Sequence, residues 1–332
     1  MEESSAKIKE DYLILLNKLC SVPGISGREN ETGISGVILE ELKSLGPREI
    51  SEDEFGNVVA VFGVGNKRIL LEAHIDEVGF EVSGFGRKGE IILAPIGLMN
   101  FTKISGSRAY LISKNIKGKI MAKAGGITFD LDNKNEKNDI APGDVISFER
   151  YFQVDGDIAK AIALDNRVGC AAIIELVKNI GSLEGLSVVA VFSTGEESDC
   201  STVGKVAARY KPDFGIVIDA AYAKPIDMDP ERTSIPEIGC GCAIQRLGEN
   251  FVVDPEVVGR FEKIAETNNI KCQSEIPLPD LGRTNVPQLD RASIKTGVIN
   301  IPVRYQHTSN SEFSVNDAAA AIKLILAFIK QF

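Results

Sequence analysis

Arg68-Ile69-Leu70-Leu71-Glu72-Ala73-His74-Ile75-Asp76-Glu77 is an apolar run that closes on an imidazole and two carboxylates. Bounded by glycine and aliphatic throughout its middle, it reads as a buried β-strand that delivers His74 and Asp76 at its end. Three other runs end the same way. Leu186 to Ser193 leads to Glu196 and Glu197, Phe214 to Ile218 leads to Asp219, and Gly297 to Tyr305 leads to His307. His74 and His307 are the two histidines of the chain. Ligands of open α/β sheets bind beyond the carboxyl ends of the strands, so if these four strands are parallel neighbours their terminal groups meet in one place.

The flanking sequence supports such a sheet. Apolar residues at helical spacing mark one helix through Ile8, Tyr12, Leu15, Leu16 and Leu19 and another through Ile34, Val37, Ile38, Leu42 and Leu45, with a turn cluster at residues 22–28 between them. Asn57 to Phe62 reads as a further strand. Asp165-Asn166-Arg167 opens an apolar helix. Pro255 to Ile270 fits a helix capped by Asp254, and Val315 to Phe332 a helix entered through Ser314, with Asp317 completing a capping-box pattern. Residues 79–157 differ: short alternating runs and Gly-rich turns, without a helix, predict a small all-β unit. The expected architecture is α/β: a three-layer α/β/α catalytic domain on a mixed, mostly parallel sheet formed by residues 1–78 and 158–332, interrupted by a β-rich domain at 79–157.

Composition narrows the function classes. With 332 residues, 44% hydrophobic and 25% charged, the chain is long enough for a large core and ordinary for a globular protein. No apolar run reaches the roughly 18 residues of a membrane span. A net charge of −10 without a compensating Lys/Arg cluster argues against nucleic acid. The N-terminal residues lack a secretory pattern, and six scattered cysteines fit a reducing compartment, so a cytoplasmic location is expected. Cys240 and Cys242 form a lone CxC pair, read as structural rather than metal-binding.

Taken singly, the acidic motifs have ordinary explanations. Glu196-Glu197 is a solvated pair, Asp219 caps a turn, and Asp165 is the N-cap of its helix. Their coincidence at strand ends with both histidines points to metal, because so many carboxylates cannot stay ionised together in a half-buried cleft without cations. Two divalent ions against the carboxylates of Asp165, Glu197 and Asp219 leave one positive charge, which a hydroxide cancels. A single ion leaves the site negative. The expected ion separation is about 3.5 to 4 Å, as in two-metal hydrolases. Mixed imidazole and carboxylate donors suit zinc, cobalt and manganese alike.

His74-Ile75-Asp76-Glu77, Leu164 to Gly169, Ser193 to Glu197, Ile218-Asp219 and Ile301 to His307 together resemble, in order over nearly the whole chain, the cobalt- or zinc-dependent glutamyl and deblocking aminopeptidases that assemble as tetrahedral dodecamers. The resemblance implies that Asp165 bridges two divalent ions, zinc or cobalt, with Glu197 and His307 on one and His74 and Asp219 on the other. It implies that Asp76 hydrogen-bonds the far nitrogen of His74 and that Glu196 is the general base that activates a bridging water. Peptide substrates, a cytoplasmic homo-oligomer of twelve subunits and a role for the β-rich insertion in assembly or substrate access follow from the same likeness. The chain departs from the family pattern at Gly195, at Ser198 to Gly204, at Gly282 to Val286, and at Glu312, which stands five positions after His307 rather than four. Two alternatives stay open. Some family members have been called endoglucanases, which requires two carboxyls without metal, and a scaffold or peptide-binding homologue without activity would keep the fold.

Overall fold

A computed structural model describes residues 2–123, 126–225, 234–277 and 282–332. The four apolar runs form adjacent parallel strands at the centre of a twelve-stranded sheet. Strand Val64–His74 lies between Glu184–Ser193 on one side and Phe214–Val217 on the other, and Thr296–Arg304 follows beyond the latter. Their register brings the ends level. Ser193 pairs with His74, and the ladder continues past the strands: Ile75 N–H donates to Ser193 O at 2.7 Å, Ile218 N–H to Glu72 O at 2.8 Å, and Ile301 N–H to Asp219 O at 2.8 Å. Antiparallel strands flank this parallel centre, with Val58–Phe62 and Glu49–Glu52 at one edge and Glu312–Ser314, Ile158–Ala161 and Phe152–Asp155 at the other.

Helices cover the sheet because each presents an apolar stripe to it. The helices Glu2–Cys20, Leu164–Asn179 and Val315–Ile329 pack together around Tyr12, Leu16, Val168, Ala172, Ile322 and Phe328, all buried, while Val203–Tyr210 and Val286–Arg291 form a second packed pair. Those last two helices are absent from the sequence reading. Asp254 and Ser314 cap as expected, accepting from Glu256 N at 2.8 Å and Asn316 N at 3.3 Å. The capping box does not close. Asp317 instead accepts from Gly239 N and Gly241 N, both at 2.7 Å, which ties the 239–241 turn to the helix. None of the described helices is long and apolar enough to cross a membrane.

Residues 79–148 form a closed six-stranded barrel around Phe80, Ile120, Ile146 and Phe148. Two short helical turns, Phe101–Ile104 and Lys134–Asp139, interrupt its strands. Phe152–Asp155, placed by the sequence reading inside the insertion, pairs instead with Ile158–Ala161 in the large sheet. The chain enters the barrel just after Glu77 and leaves it just before Arg150, and these two residues clamp the crossing points together. Arg150 donates two hydrogen bonds to the Glu77 carboxylate, one of them at 2.9 Å, while Gly24 N donates at 3.1 Å and the Arg167 guanidinium lies 3.6 Å away. Burial opposes ionisation of Glu77, but the two guanidiniums win and hold its carboxyl below the usual value.

Removing one partner of such a buried pair strands the other charges. Glu77→Ala is expected to cost about 3 to 5 kcal/mol. Urea unfolding followed by circular dichroism measures this; a loss under about 1 kcal/mol, the range of exposed pairs, would show that the clamp contributes little.

Candidate metal centre

His74 ends its strand with a buried ring, and its Nε2 lies 3.1 Å from Asp165 Oδ1 and 3.4 Å from Asp219 Oδ1. His307 follows a turn in which Tyr305 and His307 take positive φ, and its Nε2 lies 3.2 Å from Asp165 Oδ2 and 3.2 Å from Glu197 Oε1. Asp165 therefore gives one oxygen to each histidine. Two groups result, His74 with Asp165 and Asp219, and His307 with Asp165 and Glu197, each with donor atoms within 4.8 Å of one another. The sequence reading named these five residues, and the fold brings all of them together.

Local structure explains how Asp165 is freed to stand there. Asn166, not Asp165, caps the helix: its Oδ1 accepts from Gly169 N at 3.0 Å, and its Nδ2 donates to Ile218 O at 2.8 Å. That bond holds Asp165 beside Asp219. Gly169 is required by the closeness, since a Cβ there would lie 2.4 Å from Asn166 Oδ1 and 2.5 Å from Ile218 O. Arg167, fully buried, donates to Leu19 O at 3.1 Å and faces Glu77. Each residue of the Asp-Asn-Arg run thus has a separate partner.

Asp76 has a second job beside the expected contact with His74: burial opposes ionisation of its carboxyl, and the His74 ring helps hold it below the usual value. The Nδ1 of His74 is nearer the main-chain oxygen of Asp76, at 3.2 Å, than its carboxylate, at 3.5 Å. The carboxylate also accepts from Glu196 N at 3.2 Å and Glu197 N at 3.0 Å. It thereby fixes the turn after Ser193 so that Glu197 faces His307 while Glu196 borders the cavity. The Glu196 carboxylate takes no hydrogen bond from any described residue. Burial holds it well above the usual glutamate value, offset in part by His74 and reinforced by Glu197, Asp219 and Asp76.

The donor set fits divalent metal. Each histidine backs its Nδ1 with a carbonyl, Asp76 O for His74 and Leu98 O at 2.6 Å for His307, so both Nε2 atoms are turned toward carboxylate oxygens. In a neutral ring that leaves lone pair against lone pair. No Lys or Arg among the described residues forms an ion pair with Asp165, Glu196, Glu197 or Asp219, and Glu197 Oε1 is buried without a hydrogen bond. Burial disfavours protonated imidazole, yet Asp165 and Asp219 raise His74, and Glu197 and Asp165 raise His307, well above the usual value. The geometry thus calls for positive charge between the rings and the carboxylates.

The centre opens into a cavity of about 360 Å³ whose wall includes Leu98, Met99, Asn100, Tyr222, Arg283 and Gln306. Arg283 falls in the divergent segment 282–286 and Gln306 in the motif that ends at His307, whereas Leu98, Met99, Asn100 and Tyr222 are not legible from the sequence as site residues. Leu98 to Asn100 come from the barrel, and Arg283 from a segment positioned by a buried polar chain: Glu275 Oε2 accepts from Asn300 Nδ2 at 2.8 Å, Asn300 Nδ2 donates to Gln245 Oε1 at 2.9 Å, and Gln245 Nε2 donates to Gly282 O at 3.0 Å. From the other side Asn285 Nδ2 donates to Glu72 Oε1 at 2.7 Å. Cys240 is exposed and Cys242 buried; all six cysteines are free, and neither metal-compatible group includes one.

The model of the M42 glutamyl aminopeptidase family matches residues 56–138 and 120–324. The lysyl aminopeptidase of Pyrococcus furiosus is 26% identical over 341 residues, covering 96% of each chain. The TET1 peptidase of Pyrococcus horikoshii, which can assemble into a tetrahedron or a large octahedral shell, superposes with a TM-score of 0.82 at 25% identity over 96% of this chain and 98% of its own. The endoglucanase of Thermotoga maritima gives 0.76 at 26% identity over 95% and 96%.

Burial raises Glu275 to about 7. A carboxyl whose folded pKa is raised contributes stability that is fully present below its unfolded value, near 4.3, and is lost as pH rises through about 7. The melting temperature of the wild type should fall from pH 5 to pH 8, and that of Glu275→Gln should fall less. Parallel curves from calorimetry would remove Glu275 from the account.

Proposed function

The chain belongs to the M42 glutamyl aminopeptidase family, and from that premise we propose that it is a metallo-aminopeptidase releasing N-terminal residues from peptides at the paired cluster that shares Asp165. The observation that carries this reading is the division of labour between neighbours: Glu197 is turned into the cluster, while Glu196 faces the cavity with its carboxylate unengaged. His74, Asp165 and Asp219 would hold one divalent ion, and Asp165, Glu197 and His307 a second. Zinc or cobalt suits these donors, with manganese a third candidate. Bound there, two such ions supply Lewis-acid polarisation of the scissile carbonyl and acidify a water.

The protein's own residues do the rest. The wall of Leu98, Met99, Ala220 and Tyr222 receives the first residue of the peptide and excludes water from it. Glu196, bordering that space, takes a proton from the attacking water and passes it to the leaving amine. Its raised basicity suits the first step, and its freedom from hydrogen bonds suits the second. Asp76 keeps the two glutamates from exchanging places by holding both of their N–H groups.

A glycosidase reading has a structural neighbour but little support in the cavity, where Tyr222 is the aromatic wall residue and the chain has no Trp to form a sugar platform. The protein is proposed to work as a cytoplasmic homo-oligomer, supported by its free cysteines and by the shells of the Pyrococcus horikoshii relative. Twelve subunits is the expected size in light scattering, and a monomer there would sink the assembly.

Two sets of variants test the centre. Glu196→Gln is expected to retain both ions by elemental analysis yet lose turnover of an aminoacyl reporter by about two to four orders of magnitude; near-normal turnover removes Glu196 from the role. His74→Ala and His307→Ala should each weaken a different ion, read as unequal metal affinities in calorimetric titrations. Loss of both ions to the same degree in each variant would mean that the two groups do not bind separately.

A further inference from the structure

At the opposite end of the sheet, where the parallel strands begin, a hollow of about 250 Å³ draws three arginines from three elements. Arg48 precedes strand Glu49–Glu52, Arg68 stands in strand Val64–His74, and Arg209 lies in the last turn of helix Val203–Tyr210. His74 ends the same strand roughly 20 Å beyond Arg68, at about 3.3 Å per residue, so the hollow is distinct from the metal centre. Strand register builds the floor. Glu49, Val61 and Val189 are level partners across three strands, and Ser187, two residues before Val189 and on the same face, is level with Arg68. Both valines are buried, and Ser187 Oγ exchanges hydrogen bonds with Gly65 N and O, at 3.0 and 3.2 Å, which fixes the floor.

The charges of this wall do not cancel. Glu49 is its one carboxylate among the described residues, and it is already shared, accepting from Tyr210 Oη at 2.5 Å and lying 3.6 Å from Arg209 Nη2. Arg68 donates from Nη1 to Tyr210 O at 2.7 Å, a neutral carbonyl, and the Arg48 side chain has no hydrogen bond or ion pair with a described residue. Three guanidiniums against one carboxylate leave an excess of two positive charges in a chain whose net charge is −10. Such like charges repel, and a concave wall focuses their field on an anion that enters. A planar carboxylate engages one guanidinium fork, whereas a tetrahedral phosphate has oxygens for three and carries about two negative charges at neutral pH. We propose that this hollow is a binding site for a phosphate group, free or as a monoester, with the guanidiniums of Arg48, Arg68 and Arg209 on its oxygens and the body of an ester over Val61 and Val189. The site is independent of the metal centre and of the aminopeptidase reading. Glu49 competes with the anion for Arg209, so removing its charge strengthens binding.

The test titrates the metal-loaded full chain by calorimetry with inorganic phosphate and with phenyl phosphate, in the wild type, in Glu49→Gln and in the double variant Arg48→Gln/Arg209→Gln. Arg48 and Arg209 are exposed, so the double variant is expected to fold and to turn over an aminoacyl reporter as the wild type does. Its affinity for phosphate should fall about 10- to 100-fold, the range for a charged hydrogen bond, while Glu49→Gln should bind a few-fold tighter. Arg48→Gln alone, which breaks no described contact, should move affinity in the same direction as the double variant. Added salt should weaken binding to the wild type more than to the double variant. Phenyl phosphate binding more tightly than inorganic phosphate identifies an ester as the ligand, and equal affinities identify the free anion; both uphold the site. Phosphate also coordinates divalent metal, and that event is separable. Binding that the double variant leaves unchanged belongs to the metal ions and overturns the proposal, as does a failure of both ligands to bind the wild type.

Discussion

Four buried or half-buried carboxylates and two imidazoles share the space beyond the ends of four parallel strands, and their mutual repulsion is the constraint around which the rest is arranged. Left to themselves these groups would protonate or spread apart. They are kept close because the segments that carry them are tied down. Asp165 is held by the Asn166 bond to Ile218 O, the glutamates by Asp76, and the rings by carbonyls behind them. The fold stores a negative potential in a fixed geometry, which is what a site for divalent ions requires.

That geometry depends on backbone hydrogen bonds that outlast the regular strands. The residues after His74 and Val217 are extended enough for the ladder to continue, as far as the bond from Ile301 N to Asp219 O, whereas His307 is delivered by the turn that follows Arg304. Beneath them Glu72 accepts from Ser193 Oγ at 2.6 Å and from Asn285, a buried polar contact that joins two strands to the segment carrying Arg283. The polar scaffold is thus continuous from the centre of the sheet to the cavity wall.

Much of this was legible in the chain because the strands are apolar on both faces and end abruptly in ionisable residues. A strand buried on both faces has no alternating pattern to confuse, and a charged residue at its end has few structural reasons to be there. The parts that were not legible depend on long-range packing. The helix Val203–Tyr210 is short, and the barrel contributes Leu98 to Asn100 through its tertiary placement, whereas Arg283 lies in the segment 282–286 already marked by its departure from the family pattern. Asp76 stands beside His74 as expected, but its two main-chain donors were not foreseen. The family resemblance pointed to His74, whereas the turn after Ser193 brought two main-chain donors that no local pattern announces.

The bond from His307 to Leu98 O crosses from the large domain to the barrel. The insertion is therefore part of the instrument and not an ornament on it. Chimeras that graft a relative's barrel onto this chain, or excise the barrel to leave a minimal enzyme, must reproduce one main-chain oxygen and the Arg150 clamp in place, or the ring of His307 loses the contact that orients it. Modular by topology, the two units are indivisible by chemistry.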